Sequence, residues 1–194
     1  MTHLFCLLIC SFKQLDKKLY VSSDIRTDEA AKFLQITASL NIICNAITAL
    51  IAPQQYDAGL ASIQLIKSDM HLHQTHPNLD HWISVWSGFS LIVNRTTIMH
   101  RDTGAAPMHY DLLVSGGTHE SCMLDVCEVG VKLSYPPNTA VALVGRVLRH
   151  GVKVWDGGER ICQAQFMKDA VHDRLGLPRP SWVCHMDYIS LTSK

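Results

Sequence analysis

The sequence predicts an α+β chain in which helices come first, a β-sandwich follows and a short helical tail closes. Three observations predict it. The segment from Thr27 to Ala52 carries apolar side chains at helical spacing until Pro53. From about residue 82 the apolar runs become short and are separated by turn residues. "KDAVHDRLG" then restores an amphipathic helical pattern that stops at Gly176.

In chain order, the start "MTHLFCLLICSF" has an apolar stretch, Leu4 to Cys10, far shorter than the roughly 20 residues that span a bilayer. No Lys or Arg precedes it and no small-x-small site follows, so it reads as a buried first strand or a cropped start rather than a signal peptide. Residues 1–26 are set apart as an uncertain N-terminal segment. "TDEAAKFLQITASLNIICNAITALIA" has Thr27 as its N-cap and acidic residues in the first turn, and it reads as one or two helices with a break near Asn41. In "PQQYDAGLASIQLIKSD", Tyr56, Leu60, Ile63 and Ile66 share a helical face. "MHLHQTHPNLDHW" is polar and His-rich and suits a loop.

The strand runs are "WISVWSGFSLIVN", "MHYDLLVSGG", "SCMLDVCEVGVKLSY", "TAVALVGRVLRHGVKVW" and "ERICQAQFM". Their separators are Gly116-Gly117, Pro136-Pro137-Asn138 and Asp156-Gly157-Gly158. Many short strands at such intervals suit a sandwich or barrel rather than a parallel βαβ sheet.

The 194 residues suffice for one well-formed core and would be cramped as two domains. With 17 basic and 17 acidic side chains, no overall field draws the chain to nucleic acid or to an acidic membrane, so any polyanion site must be local. Residues 146–179 hold seven basic against four acidic side chains, a small surplus that permits a local phosphate-binding rim. The seven cysteines, Cys6, Cys10, Cys44, Cys122, Cys127, Cys162 and Cys184, form no paired CxxC unit and read as free thiols in a reducing compartment.

"VNRTTIMHRD" carries the chemistry. On a strand, residues i and i+2 project from one face, so His100 and Asp102 would present an imidazole and a carboxylate to one point. His150, at the end of "AVALVGRVLRH", is the best third ligand. Two histidines and a carboxylate form the facial triad of non-haem Fe(II) oxygenases and leave positions open, whereas structural zinc sites are closed. Arg160, across the Asp156-Gly157-Gly158 turn, would sit in a hairpin beside the His150 strand, its guanidinium fork suited to a carboxylate. On an unbroken strand Arg95 faces away from His100, and Asn94 shares the face of His100 and Asp102. The rival cluster His71, His73, His76 and His81 has no acidic or thiol ligand at its spacing and reads as a flexible loop.

The pattern "NR.T..HRD", then "YDLL", "Y.P.T.VAL.GRVLRH.V" and "GER.C.A.FMKD.VH.RLG" resembles the fungal branch of the TET/JBP family of Fe(II)- and 2-oxoglutarate-dependent dioxygenases, which oxidise methyl groups on nucleic-acid bases. The resemblance runs from about Trp82 to Trp182. It implies a double-stranded β-helix, a jelly-roll or cupin-like core over about 82–168 with helical support over 27–70, the whole of 27–194 being one dioxygenase domain. It implies His100, Asp102 and His150 as iron ligands, Arg160 for the 2-oxoglutarate carboxylate, and Arg95 as a second 2-oxoglutarate or loop-anchoring contact, while Asn94, on the His100 and Asp102 face by the period of two, would make a hydrogen bond near the co-substrate. It also implies Phe166 stacking on the target base, and Lys168 and His172 touching the base edge or a phosphate. Lys168 departs from the arginine usual there. The implied cofactors are Fe(II), 2-oxoglutarate and O2.

The implied substrate is 5-methylcytosine in DNA, oxidised to hydroxymethylcytosine and beyond, with the nucleotide flipped out of the duplex. The alternatives are the same chemistry on N6-methyladenine or RNA, or an inactive jelly-roll binding module. The reading expects a monomer with no membrane partner, in the nucleus because of its substrate class; no basic localisation cluster is seen. "TGAAPMHY" after Asp102 offers no obvious polar base reader.

Overall fold

The computed structural model describes residues 3–11 and 19–184, with side chains over 19–184. The chain divides into two compact units, one of Met1–Cys6 with Gly88–Phe166 and one of Leu7–Ser87 with Met167–Lys194.

In the second unit, β1 (His3–Ser11), which straddles the division, pairs antiparallel with β2 (Leu19–Val21) through Ile9 and Val21. The start predicted as a strand is a strand; the burial of its side chains lies outside the described residues. α1 (Asp28–Ile36) begins where the Thr27 hydroxyl accepts the Ala30 N–H at 3.2 Å. The break before α2 (Ala38–Ile51) falls at Thr37, not near Asn41, and turns the axis by 57°. The Thr37 hydroxyl bonds back to the Phe33 carbonyl at 2.8 Å, a competition with the helix ladder that bends helices, whereas Asn41 is buried inside α2.

α3 (Pro53–Ser68) opens on its proline and buries Gln55, Gly59, Ser62, Ile63 and Ile66. That face is rotated from the predicted one, leaving Leu60 exposed, because the Val85 carbonyl and the Met167 side chain come so close to Gly59 that a β-carbon has no room there. The histidine-rich segment is not a loop. Asp69 accepts the N–H groups of His71 and Leu72 at 3.0 and 3.1 Å and so caps α4 (Met70–Thr75), which buries Leu72, and a 3-10 turn follows over Pro77–His81. α5 (Asp169–Leu175) ends as predicted at Gly176, whose φ of 67° is the left-handed cap a glycine takes without strain. No single helix among the described residues is long and apolar enough to cross a membrane.

The first unit holds β3 (Gly88–Val93), β4 (Thr97–His100), β5 (Asp111–Gly117), β6 (Ser121–Val126), β7 (Val131–Ser134), β8 (Ala140–Leu143), β9 (His150–Val152), β10 (Trp155–Asp156) and β11 (Arg160–Phe166). β3, β11, β5 and β8 lie side by side in one antiparallel sheet; β10, β6, β9 and β4 form the other, with β7 paired to β6. The chain passes back and forth between the two sheets, which is the double-stranded β-helix. Inward residues from both sheets, among them Leu113, Leu124, Val126, Leu143 and Val152, make one core. Each such side chain contributes about 1.5–3 kcal/mol by leaving water.

This alternation overturns two local expectations. "VNRTTIMHRD" is not one strand: Asn94, at φ 49°, ends β3 in the larger sheet, and β4 resumes in the smaller one. Residues 156–160 are not a hairpin either. β10 pairs with β6, whereas β11 pairs with β3 and β5, so Gly157 and Gly158, at φ 66° and 35°, carry the chain from one sheet to the other.

Candidate metal and co-substrate site

β4 and β9 pair so that His100 stands directly opposite His150, with ring centroids 4.6 Å apart. Asp102 lies beyond the end of β4, in a turn anchored by its N–H donating to the Gly145 carbonyl at 2.9 Å. Its two carboxylate oxygens are 3.3 Å from His100 Nε2 and 3.6 Å from His150 Nε2. The i, i+2 spacing therefore brings the pair together through a strand end and a turn.

Each imidazole is held from behind. His100 Nδ1 lies 2.9 Å from the Ile98 carbonyl and His150 Nδ1 3.1 Å from the Leu148 carbonyl. A carbonyl only accepts, so Nδ1 carries the proton and Nε2 keeps its lone pair for a ligand. One donor atom from each of His100, Asp102 and His150 lies within 4.8 Å of the others. Two imidazole lone pairs and a carboxylate so close repel one another unless a cation sits among them, so the donor set suits a divalent ion with open positions. His150 is 5 % exposed, while the other two are about a third exposed, at 36 % and 34 %, so the cluster opens toward solvent on the side of His100 and Asp102. Among the described residues, no other group of three or more His, Cys, Asp or Glu side chains is close enough to share an ion. In the other histidine cluster, His73 pairs with Asp80 at 3.2 Å and His81 meets Gln35 at 3.1 Å.

Arg160 opens β11 and is 2 % exposed. Nη1 donates to the Arg95 carbonyl at 2.9 Å, and the main-chain N–H donates to the Asn94 side chain at 2.9 Å. Asn94 and Arg95 thus hold Arg160, Asn94 with its side chain and Arg95 with its backbone. Arg160 Nε is buried and has no hydrogen-bond partner. The guanidinium lies 5.9 Å from the Trp155 ring centroid.

Tyr135, to which sequence reasoning assigned no role although it opens the "Y.P.T" pattern, is fully buried with its hydroxyl 3.5 Å from Cys162 Sγ. Burial, aided by the neighbouring Cys162 thiol, pushes the Tyr135 phenol far up, and burial likewise pushes up the thiols of Cys122 and Cys162 against the pull of Arg160. A buried cation with an unsatisfied N–H, among neutral hydroxyl and thiol groups, fits the distal carboxylate of 2-oxoglutarate.

Gly145, also missed, lies where a β-carbon would overlap the carboxylates of Asp102 and Asp111. Asp111 is itself buried, at 2 % exposure. Phe166 ends β11 opposite Gly88, half-buried, and strand alternation puts it on the face of Arg160 and Cys162. Lys168 and His172 belong to the other unit. Lys168 is the N-cap of α5, its N–H donating to the Ser87 hydroxyl at 2.8 Å; His172 is 1 % exposed, and burial pushes its ring pKa down. The described cysteines are free thiols, Cys44, Cys122 and Cys162 buried and Cys127 and Cys184 exposed.

No curated protein sequence matches the chain. Among solved structures, NgTET1 in complex with 5mC DNA aligns with a TM-score of 0.61 at 13 % identity, covering 87 % of this chain and 61 % of that one. The chain therefore spans less than two thirds of that protein's length. An oxidoreductase of the 2OG-Fe(II) oxygenase family from Burkholderia pseudomallei aligns at TM-score 0.34 and 14 % identity over 55 % of this chain and 56 % of its own. A Cupin 2 conserved barrel domain protein from Salinispora arenicola does so at 0.34 and 17 % over 46 % and 69 %. The family model Tet_JBP, the oxygenase domain of the 2OGFeDO superfamily, matches residues 10–169, most of the chain. The chain belongs to the TET/JBP oxygenase family, whose superfamily works with Fe(II), 2-oxoglutarate and O2.

Proposed function

We propose that the chain is a dioxygenase that oxidises the methyl group of a nucleobase, with 5-methylcytosine in DNA as substrate and oxidation continuing beyond the hydroxymethyl stage. The observation that carries the reading is the convergence of His100, Asp102 and His150, their Nε2 atoms and carboxylate free for an ion. The likeness to a protein solved with 5mC DNA supports the choice of substrate class.

Bound Fe(II), with 2-oxoglutarate and O2, supplies the oxidising power at the cost of releasing succinate and CO2. The chain's residues do the rest. His100, Asp102 and His150 would hold the metal. Arg160 grips the distal carboxylate of 2-oxoglutarate with the N–H it has free, and Asn94 and Arg95 keep the guanidinium aimed. Phe166 stacks on the extruded base; flipping the base costs roughly a few kcal/mol, which stacking offsets. A nuclear location follows from DNA as substrate.

The test is mass spectrometry of methylated DNA and RNA oligonucleotides incubated with the chain, iron, ascorbate and 2-oxoglutarate. Hydroxymethylcytosine in DNA, with matching succinate and none from His100→Ala, is the expected result. Product only from N6-methyladenine or RNA would move the substrate. No 2-oxoglutarate turnover on any oligonucleotide would leave a binding module.

A further inference from the structure

Glu128 sits in the 3-10 turn Cys127–Val129 that links β6 to β7, and nothing in its sequence surroundings marks it. Its carboxylate is nonetheless the hub of three charge-assisted hydrogen bonds. Oε1 accepts from Arg101 Nη2 at 2.8 Å and from Arg149 Nε at 2.9 Å, and Oε2 accepts from the main-chain N–H of Arg149 at 2.6 Å. The same turn takes the Arg149 carbonyl through the Cys127 N–H at 3.0 Å, and Arg101 Nε donates to the Val147 carbonyl at 2.8 Å.

The two arginines are the sequence neighbours of the candidate metal ligands. Arg101 lies between His100 and Asp102, and Arg149 immediately precedes His150. The strand ladder holds this region weakly: the β4–β9 register is broken between Thr97 and His100, and Asp102 is outside the ladder. One carboxylate therefore spans the gap that backbone pairing leaves open. Two of the three join ionised groups on both sides and the third has the carboxylate as its ionised acceptor, which makes them the strong and directional kind.

We propose that Glu128 is a positioning residue: through Arg101 and Arg149 it sets the turn bearing His100 and Asp102 against the strand bearing His150, so that the three ligands are spaced before an ion arrives. This rests on the reading of those three residues as the metal centre. Glu128, Arg101 and Arg149 have side chains 26 %, 51 % and 54 % exposed, and ion pairs so exposed add little to global stability. The consequence of losing the clamp therefore falls on ligand geometry, where outer-shell changes typically weaken metal binding about 10–100-fold.

The test is titration of the full chain with Co(II), followed by the visible absorption of the bound ion and by calorimetry, alongside thermal unfolding. Expected are a Kd about tenfold higher in Glu128→Ala with nearly unchanged Tm, and a smaller loss in Glu128→Gln, which keeps an acceptor. Arg101→Leu should weaken Co(II) binding as well, and the Arg101→Leu, Glu128→Ala double variant should be no worse than the weaker single, because the two act as one unit. Should Glu128→Ala fail to fold, Glu128→Gln and Arg101→Leu decide. Co(II) affinity equal to that of the unaltered chain in the folded variants overturns the proposal, as does a drop in Tm that accounts for the whole loss. If the unaltered chain and His100→Ala take up Co(II) equally poorly, it is the metal-centre reading that fails.

Discussion

Asn94 and Arg160 are joined by a reciprocal pair of hydrogen bonds. The Asn94 main-chain N–H donates to the Arg160 carbonyl at 2.8 Å, and the Asn94 side-chain carbonyl accepts the Arg160 N–H at 2.9 Å. Asn94 makes this pair from a left-handed backbone conformation, φ 49°, which asparagine tolerates better than most residues. The turn that ends β3 is thereby also the seat of the buried guanidinium.

Asn94→Ala removes the acceptor and leaves an alanine in the left-handed region, for a combined cost of about 1–3 kcal/mol. Asn94→Asp keeps the acceptor and should recover most of it. Chemical denaturation measures the cost, and the KM for 2-oxoglutarate should rise with it in the alanine variant, because Arg160 loses its anchor.

Arg160→Lys keeps the charge and loses the planar fork, and Arg160→Met loses both. The 2-oxoglutarate Kd should rise at least about tenfold in the lysine variant and further in the methionine variant, because an ammonium on a flexible stem does not reproduce the fixed donor geometry of the guanidinium. Calorimetry with the Co(II)-loaded chain reads this directly. Co(II) affinity itself should stay unchanged, which separates the co-substrate pocket from the metal ligands.

At Gly145 a β-carbon would overlap the carboxylates of both Asp102 and Asp111. Gly145→Ala should therefore displace Asp102 and weaken Co(II) binding by about tenfold or more, as outer-shell disturbance does. Gly176→Ala is the control. It strains a backbone at φ 67° with open space around the added carbon, so it should cost about 1 kcal/mol of stability and leave metal binding alone.

Burial lowers the pKa of His172, the nearby charges of Asp169, Arg179 and Asp173 acting as smaller influences. The folded chain therefore prefers the neutral ring, and the unfolded chain binds the proton more readily. The stability this contributes is whole above the unfolded value of about 6.5 and is lost as pH falls below it toward the folded value. Thermal unfolding between pH 8 and pH 5 should show a falling Tm through that window, and His172→Gln should flatten the slope.

Signals confined to a few consecutive residues were legible in the sequence. The Thr27 cap, the proline at the start of α3 and the glycine stop of α5 are settled by bonds within one turn of backbone, and the structure keeps each of them. The helix over residues 70–75 has an equally local signal in its Asp69 cap, but it buries Leu72 alone and so lacks the apolar periodicity that marks the longer helices.

What the sequence by itself determined is the chemical inventory, two imidazoles and a carboxylate at a recognisable spacing, a guanidinium downstream, and strands enough for a sandwich. The tertiary structure alone decided how these are held. Asn94 turns between sheets rather than running along a strand, Arg160 enters the larger sheet rather than a hairpin, and Tyr135, Gly145 and Glu128 gain their places from residues far along the chain. The reason is physical: alternation along a strand says which way neighbouring side chains point, but which strands become partners depends on burying both sheet faces at once, a condition no short stretch of sequence contains.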